Sequence, residues 1–167
     1  PADMVDAIVY HPDTEQTAGV PHRAHWPAVT TASDVPVGEA LARARFVNSL
    51  LGLTPRRRAI DAAVGRLATA TLLAHVGRGA HVNIGTGLPE QVCEILYDAS
   101  LHEAITRLVE SGPVGGVPAP GVYFGAAFSP KRIISSAEMF KLCYERLDAT
   151  CLGVLEADGD GNVNVSR

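Results

Sequence analysis

The sequence predicts an α/β fold, an open and mainly parallel sheet with helices on both faces. Three observations carry this. Helical periodicity alternates with short runs rich in Val, Ile and Leu, the order expected of strand–helix–strand units. Two of the apolar runs end in glycine loops, at Gly85-Thr86-Gly87 and at Gly112 to Gly116. The chain has 167 residues, 47% hydrophobic and 19% charged, enough for one domain with a real core and too apolar for a disordered tail.

The elements follow in chain order. Residues 1–10 read as a strand. His11 to Pro36 is rich in Pro, His, Thr and Ala with little periodicity, so it reads as a linker lying on a neighbour's surface. His11, His22 and His25 fall there, with no Cys or paired carboxylate to complete a metal site, and none is expected. Trp26 reads as a packing residue. Glu39 to Leu51 forms a helix with Leu41, Ala44 and Val47 or Asn48 on one side. Pro55 opens a second helix to about His75, with Ile60, Val64, Leu67, Thr71 and Leu72 on its buried face. Gly77 and Gly79 end it.

Val82 and Ile84 then suit a strand, Gly85 and Gly87 a tight turn, and Pro89 the first turn of a helix through Gln91, Val92, Ile95 and Leu96. Ile105, Leu108 and Val109 end a second strand. Past Gly116 the prolines at 118 and 120 impose loop structure. Ser136 caps a helix containing Met139, Phe140, Leu142 and Cys143, with Glu138 near its positive end. Ala149 to Leu155 reads as a buried strand. Asp158-Gly159-Asp160-Gly161-Asn162 reads as a hairpin turn, since it lacks the spacing and terminal Glu of an EF-hand loop. Val163 and Val165 share one face of a final strand.

Composition excludes several functions. A net charge of −4 gives no basic footprint for nucleic acid. Arg56-Arg57-Arg58, the only basic run, reads as an exposed helix start. Cys93, Cys143 and Cys151 are too few and too irregular for a disulfide framework or a zinc site. They suit a reducing compartment, so a cytoplasmic location is expected. No apolar segment is long enough to span a bilayer, and Pro1-Ala2-Asp3 lacks the regions of a signal peptide.

Chemistry concentrates in two stretches. Glu110 stands at a strand end, directly before Ser111-Gly112-Pro113-Val114-Gly115-Gly116. A carboxylate flanked by free backbone N–H groups suits attack on an acyl group, whereas a simple strand-and-turn reading leaves Glu110 merely exposed. The loop Gly85-Thr86-Gly87 lies at the carboxyl end of a strand, where open α/β sheets bind ligands. It is not a dinucleotide fingerprint, because the third glycine is missing.

Three stretches occur in order: Val82-Asn83-Ile84-Gly85-Thr86-Gly87-Leu88-Pro89-Glu90, Glu110-Ser111-Gly112-Pro113-Val114-Gly115-Gly116, and Gly161-Asn162-Val163-Asn164-Val165-Ser166. Together they resemble the family I CoA-transferases, in particular the acetate/propionate and 3-oxoacid type. Phe124-Gly125-Ala126-Ala127 and Leu152-Gly153 fit the same pattern. Val5-Asp6-Ala7-Ile8-Val9 resembles the last strand of that family's first domain.

The resemblance implies an end strand and linker at 1–36 and part of the second, glutamate-bearing domain at 37–167. It implies Glu110 as the nucleophile of a ping-pong transfer of CoA from a short-chain acyl-CoA to a carboxylic acid. No cofactor or metal is implied; coenzyme A is itself a substrate. Gly85, Gly87, Gly112, Gly115 and Gly116 are implied to let backbone approach the reacting centre, and Asn164 to steady an oxyanion. Acetyl-, propionyl- or acetoacetyl-CoA are the donors implied, placing the chain in ketone-body or short-chain fatty acid metabolism. The missing first domain implies an oligomer or a separate first-domain chain. An acyl-CoA hydrolase on the same fold, and a non-catalytic subunit or fragment, are the alternative readings. One departure stands out: Tyr144-Glu145-Arg146-Leu147-Asp148 lacks the glycine triplet that many relatives carry there.

Overall fold

A computed structural model describes residues 27–31 and 33–165. Four helices of eight or more residues occur there: α1 (Val37–Leu50), α2 (Ala59–His75), α3 (Glu90–Asp98) and α4 (Ser136–Arg146). The central strands are β1 (His81–Ile84), β2 (Thr106–Leu108), β3 (Pro113–Val114), β6 (Arg132–Ile133) and β7 (Ala149–Cys151). They form one sheet in the order β6-β3-β2-β1-β7. β2 and β7 flank β1 and run parallel to it. β3 and β6 extend the sheet in antiparallel fashion. Two small antiparallel ribbons complete the fold, β4 (Val117–Pro118) with β5 (Ala127–Phe128), and β8 (Glu156–Ala157) with β9 (Val163–Asn164).

Side-chain alternation explains why helices cover both faces. Val82 and its register partner Arg107 share one face. On that side Val82 packs with Leu72 of α2 and with Val92 and Leu96 of α3. Val92 and Leu96, four residues apart on one helix face, are both fully buried. Removing each from water contributes roughly 1.5–3 kcal/mol. Asn83 and its partner Leu108 point the other way. There Leu108 packs with Val114 and Met139 of α4.

Several expectations are corrected. The second helix opens at Ala59, where Asp61 accepts the Arg58 N–H at 2.8 Å, rather than at Pro55. Its buried residues are Gly65, Thr69 and Leu72, whereas Ile60, Val64 and Leu67 are exposed. The helix approaches α3 through small residues: a Cβ on Gly65 would lie 2.8 Å from the Gln91 side chain. Ser135, not Ser136, caps α4, in a reciprocal pair with Glu138. The strand after it ends at Cys151, and Leu152, Val154 and Leu155 are exposed. The Asp158 turn does form a hairpin, β8–β9, but Val163 and Val165 face solvent.

The strand and most of the linker expected before Pro27, with Trp26 and the three histidines, lie outside the described residues. The described end of the linker packs in part on the chain itself. Ala28 and Val29 are buried in the chain's own core with Ala40, Leu41, Ala44 and Phe128. The Ala28 carbonyl accepts the Ser129 N–H at 3.0 Å. Both residues belong to a short 3-10 turn, Pro27–Val29.

Candidate active site

β1 is the point where the chain reverses its direction of winding. One crossover leads through α3 to β2 on one side, and a later one through α4 to β7 on the other. A crevice opens at such a switch point, beyond the carboxyl ends of the strands. Here it is a cavity of about 330 Å³. Gly85 and Thr86 border it from the end of β1, and Val109 and Glu110 from the end of β2. α3 supplies Glu90, Cys93 and Tyr97, and the β4–β5 region supplies Ala119, Phe124 and Ala126.

Glu110 is oriented by a neighbour on β1. The buried Asn83 donates through Nδ2 to Glu110 Oε1 at 2.9 Å and to the Leu108 carbonyl at 3.1 Å. The parallel register sets Asn83 beside Leu108, so its amide spans the turn that leads to Glu110. Cys143 of α4 sits beneath; burial first, and then the Glu110 charge, push its thiol up. Ser111, next to Glu110, donates a short hydrogen bond to the Gly125 carbonyl and ties this strand end to the opposite wall.

Arg107 is a further charged residue of the wall and only 2% exposed. It donates to the His102 carbonyl at 3.2 Å and, in a short bond, to the Gly116 carbonyl. Burial lowers its pKa, and the Cys93 thiol beside it opposes that shift. Cys93 in turn is pushed up to about 11 by burial.

The glycines differ in their surroundings. Gly85 borders the cavity, and its N–H is donated to the Cys151 carbonyl at 2.9 Å. Gly87 faces open space, its N–H donated to Glu90 Oε1 at 2.8 Å and its carbonyl accepting from Arg57 at 2.6 Å. Arg57 thus joins the exposed basic run to this loop. Gly112 packs against the Ile134 carbonyl, Gly115 against the Lys131 side chain, and Gly116 against the backbone of Phe128 to Pro130. The N–H groups of Gly112 and Gly115 serve the Val109 and Arg107 carbonyls. Asn164 lies on β9, where its amide meets Glu156 at 3.3 Å, and it does not border the Glu110 cavity.

Asn83 and Arg107 were not singled out from the sequence. The available signal was a polar residue beside apolar ones on each of two adjacent strands, Asn83 between Val82 and Ile84, and Arg107 before Leu108. No group of three metal-ligating side chains occurs among the described residues, and no helix there is long and apolar enough to cross a membrane. The three cysteines are free.

Comparison with known proteins points to the CoA-transferases. No family model matches the chain. It is 37% identical over 94 residues to caffeate CoA-transferase of Acetobacterium woodii, a match covering 55% of this chain and 18% of that protein. It is 24% identical over 169 residues to acetate CoA-transferase YdiF of Escherichia coli O157:H7, covering 100% of this chain and 28% of that protein. The crystal structure of the YdiF apoenzyme superposes with a TM-score of 0.51 at 25% identity, over 62% of this chain and 19% of that one. The chain therefore spans less than a third of the length of these curated relatives. Within that span it is CoA-transferase-like in both sequence and fold.

Proposed function

We propose that this chain carries the glutamate-bearing part of a CoA-transferase, with Glu110 as the nucleophile. The observation that carries the reading is the Asn83–Glu110 pair at the border of the cavity. It holds one carboxylate oxygen and leaves the other free to attack.

The Glu110 oxygen adds to the thioester carbonyl of a short-chain acyl-CoA. The carbon–sulfur bond breaks, CoA thiolate leaves, and an acyl–glutamyl anhydride remains. The thiolate then attacks the glutamyl carbonyl. The anhydride carbon–oxygen bond breaks, the first acid departs as a carboxylate, and Glu110 becomes a CoA thioester. A second carboxylate attacks this thioester and reverses the sequence, leaving as the new acyl-CoA with Glu110 restored. Glu110 is exposed in the free chain; bound acyl-CoA would strip water from it, and a poorly hydrated carboxylate is the better nucleophile.

Acyl-CoA followed by borohydride should convert the thioester at Glu110 to an alcohol, read by peptide mass. Glu110→Ala should abolish the adduct. An adduct that persists in the variant would exclude Glu110. Steady CoA release from acyl-CoA with no acid present would assign hydrolysis instead of transfer.

Association is part of the same proposal. Leu152, Val154, Leu155, Val163 and Val165 are all exposed at one end of the chain, and such an apolar group favours contact with another surface. A second copy, or a separate polypeptide resembling the family's first domain, would cover it. Sedimentation at micromolar concentration decides; a stable monomer unaffected by such a partner would count against association.

A further inference from the structure

Of the described residues bordering the Glu110 cavity, Phe124 is the one large apolar side chain left exposed, at 65%. That is more than its backbone could contribute, so the ring itself meets water. Phe124 also borders a second cavity of about 500 Å³, which shares Thr86, Glu90 and Pro120 with the first. It stands where the two cavities meet.

The turn that presents it is fixed from both sides. On one, the buried Asn48 of α1 donates through Nδ2 to the Pro120 carbonyl and accepts the Val122 N–H through Oδ1, both at 3.0 Å. Gly121, at φ +61°, lies so close to this amide that a Cβ there would stand 2.4 Å from it. The Phe124 N–H returns to the Gly121 carbonyl at 2.9 Å and closes the turn. On the other side, the Gly125 carbonyl accepts the hydroxyl of Ser111, the neighbour of Glu110. Both polar groups of a buried side chain thus serve one turn, 72 and 74 residues further along the chain, and an uncovered ring is what that turn presents.

We infer that Phe124 covers the bound thioester and keeps water from it, with Asn48 as the positioning residue that holds the ring in place. This rests on the reading of Glu110 as the nucleophile. Because Glu110 is exposed, its CoA thioester needs cover from another surface. Water that reaches the glutamyl carbonyl breaks the carbon–sulfur bond. The departing thiolate takes one proton, Glu110 returns as a carboxylate, and the second proton passes to solvent. An apolar ring beside the carbonyl slows that loss, because a water molecule there lacks partners on the side of the ring. A carboxylic acid acceptor instead lays its own apolar chain against the ring. The ring therefore sets how the thioester divides between acid and water.

Variants of the full chain test this. Each is loaded with propionyl-CoA, and the adduct is followed by intact mass as it decays with and without acetate. The ratio of loss to water over transfer to acetate counts only molecules that carry the adduct, so a smaller folded fraction does not move it. Phe124→Ala should raise this ratio by about tenfold, and Phe124→Leu should restore most of it. Asn48→Ala should raise it in the same direction, and should add nothing once position 124 is already Ala. S-propyl-CoA, a thioether that cannot react with Glu110, should bind Phe124→Ala about tenfold more weakly by calorimetry. An adduct whose ratio Phe124→Ala leaves unchanged would overturn the inference while upholding Glu110. A folded Asn48→Ala with the wild-type ratio would remove Asn48 from the assignment. Should Asn48→Ala fail to fold, the exposed Phe124 decides alone. Weaker thioether binding by Phe124→Ala, with no adduct in wild type, would uphold the ring as ligand cover and overturn the transferase reading. Neither adduct nor change in binding would overturn both.

Discussion

Asn83 of the first strand holds Glu110, just beyond the end of the second, by a 2.9 Å hydrogen bond across a separation of 27 residues. The same amide nitrogen is 3.1 Å from the Leu108 carbonyl, so one side chain fixes both the strand end and the carboxylate beyond it. Asn83→Ala would free the carboxylate to rotate. Adduct formation should slow by about 10–100-fold, in line with the loss of a charge-assisted bond of roughly 1.5–3 kcal/mol. Asn83→Asp should be worse at neutral pH, because two carboxylates in contact cannot both stay ionised. An unchanged rate in both variants would remove Asn83 from the site.

The glycines give a test that separates packing from ligand contact. A Cβ on Gly112, at φ +127°, would overlap the Ile134 carbonyl oxygen. Gly112→Ala should therefore destabilise by more than about 2 kcal/mol, from backbone strain and the displaced strand together. Gly87 has φ +80° and open space where a Cβ would stand, so Gly87→Ala should cost only about 1–2 kcal/mol. Urea midpoints of the two variants measure the difference. Equal costs would mean that the Ile134 contact is not what the glycine serves.

The outline of the sheet was legible because it depends on local pattern. Val82 and Ile84 before a glycine turn gave the first strand, and Pro89 with Val92 and Leu96 gave the helix behind it. Glu110 was legible as a carboxylate between an apolar run and glycines. The buried face of the second helix was not. Periodicity weights large apolar residues, and this helix docks through Gly65 and Thr69 while Ile60 and Leu67 remain exposed. Asn83 and Arg107 were missed for another reason. Their partners are set by strand register and by a loop crossing from Gly116, neither of which a linear pattern records.

Acid should unfold the protein through carboxylates that are bonded in the native state. Asp61 is held below its ordinary range chiefly by a hydrogen bond from Arg58, Glu103 by Lys131, Glu138 by the Ser135 backbone and hydroxyl, and Asp158 by Asn162. A depressed folded pKa favours the native state above the unfolded value, about 4, and that contribution is lost as pH falls through the folded value. Stability should thus be level with respect to these groups from neutrality to about pH 5, then decline. Ser135→Ala should lower the plateau by about 1 kcal/mol through the lost cap and flatten the decline. Urea midpoints between neutrality and strong acid would show both effects, and an undiminished slope in the variant would exclude Glu138 as a contributor.

Alkali should act through Cys93. Burial raises this thiol to about 11, and Arg107 only partly offsets the effect. At pH 8 about one molecule in a thousand then carries the thiolate, the form that reacts with alkylating agents. Native Cys93 should therefore resist iodoacetamide near neutrality, with a rate that climbs about tenfold per pH unit until close to 11. The stability effect has the opposite sign to that of the carboxylates. A raised folded pKa favours the native state fully below the unfolded value, about 8.5, and the benefit is lost as pH rises through the folded one. The loss amounts to roughly 3 kcal/mol for a shift of this size, and Cys93→Ala should remove it. Rapid labelling of Cys93 at pH 7, with the fold intact by circular dichroism, would show that the thiol is not buried beside Arg107 as described.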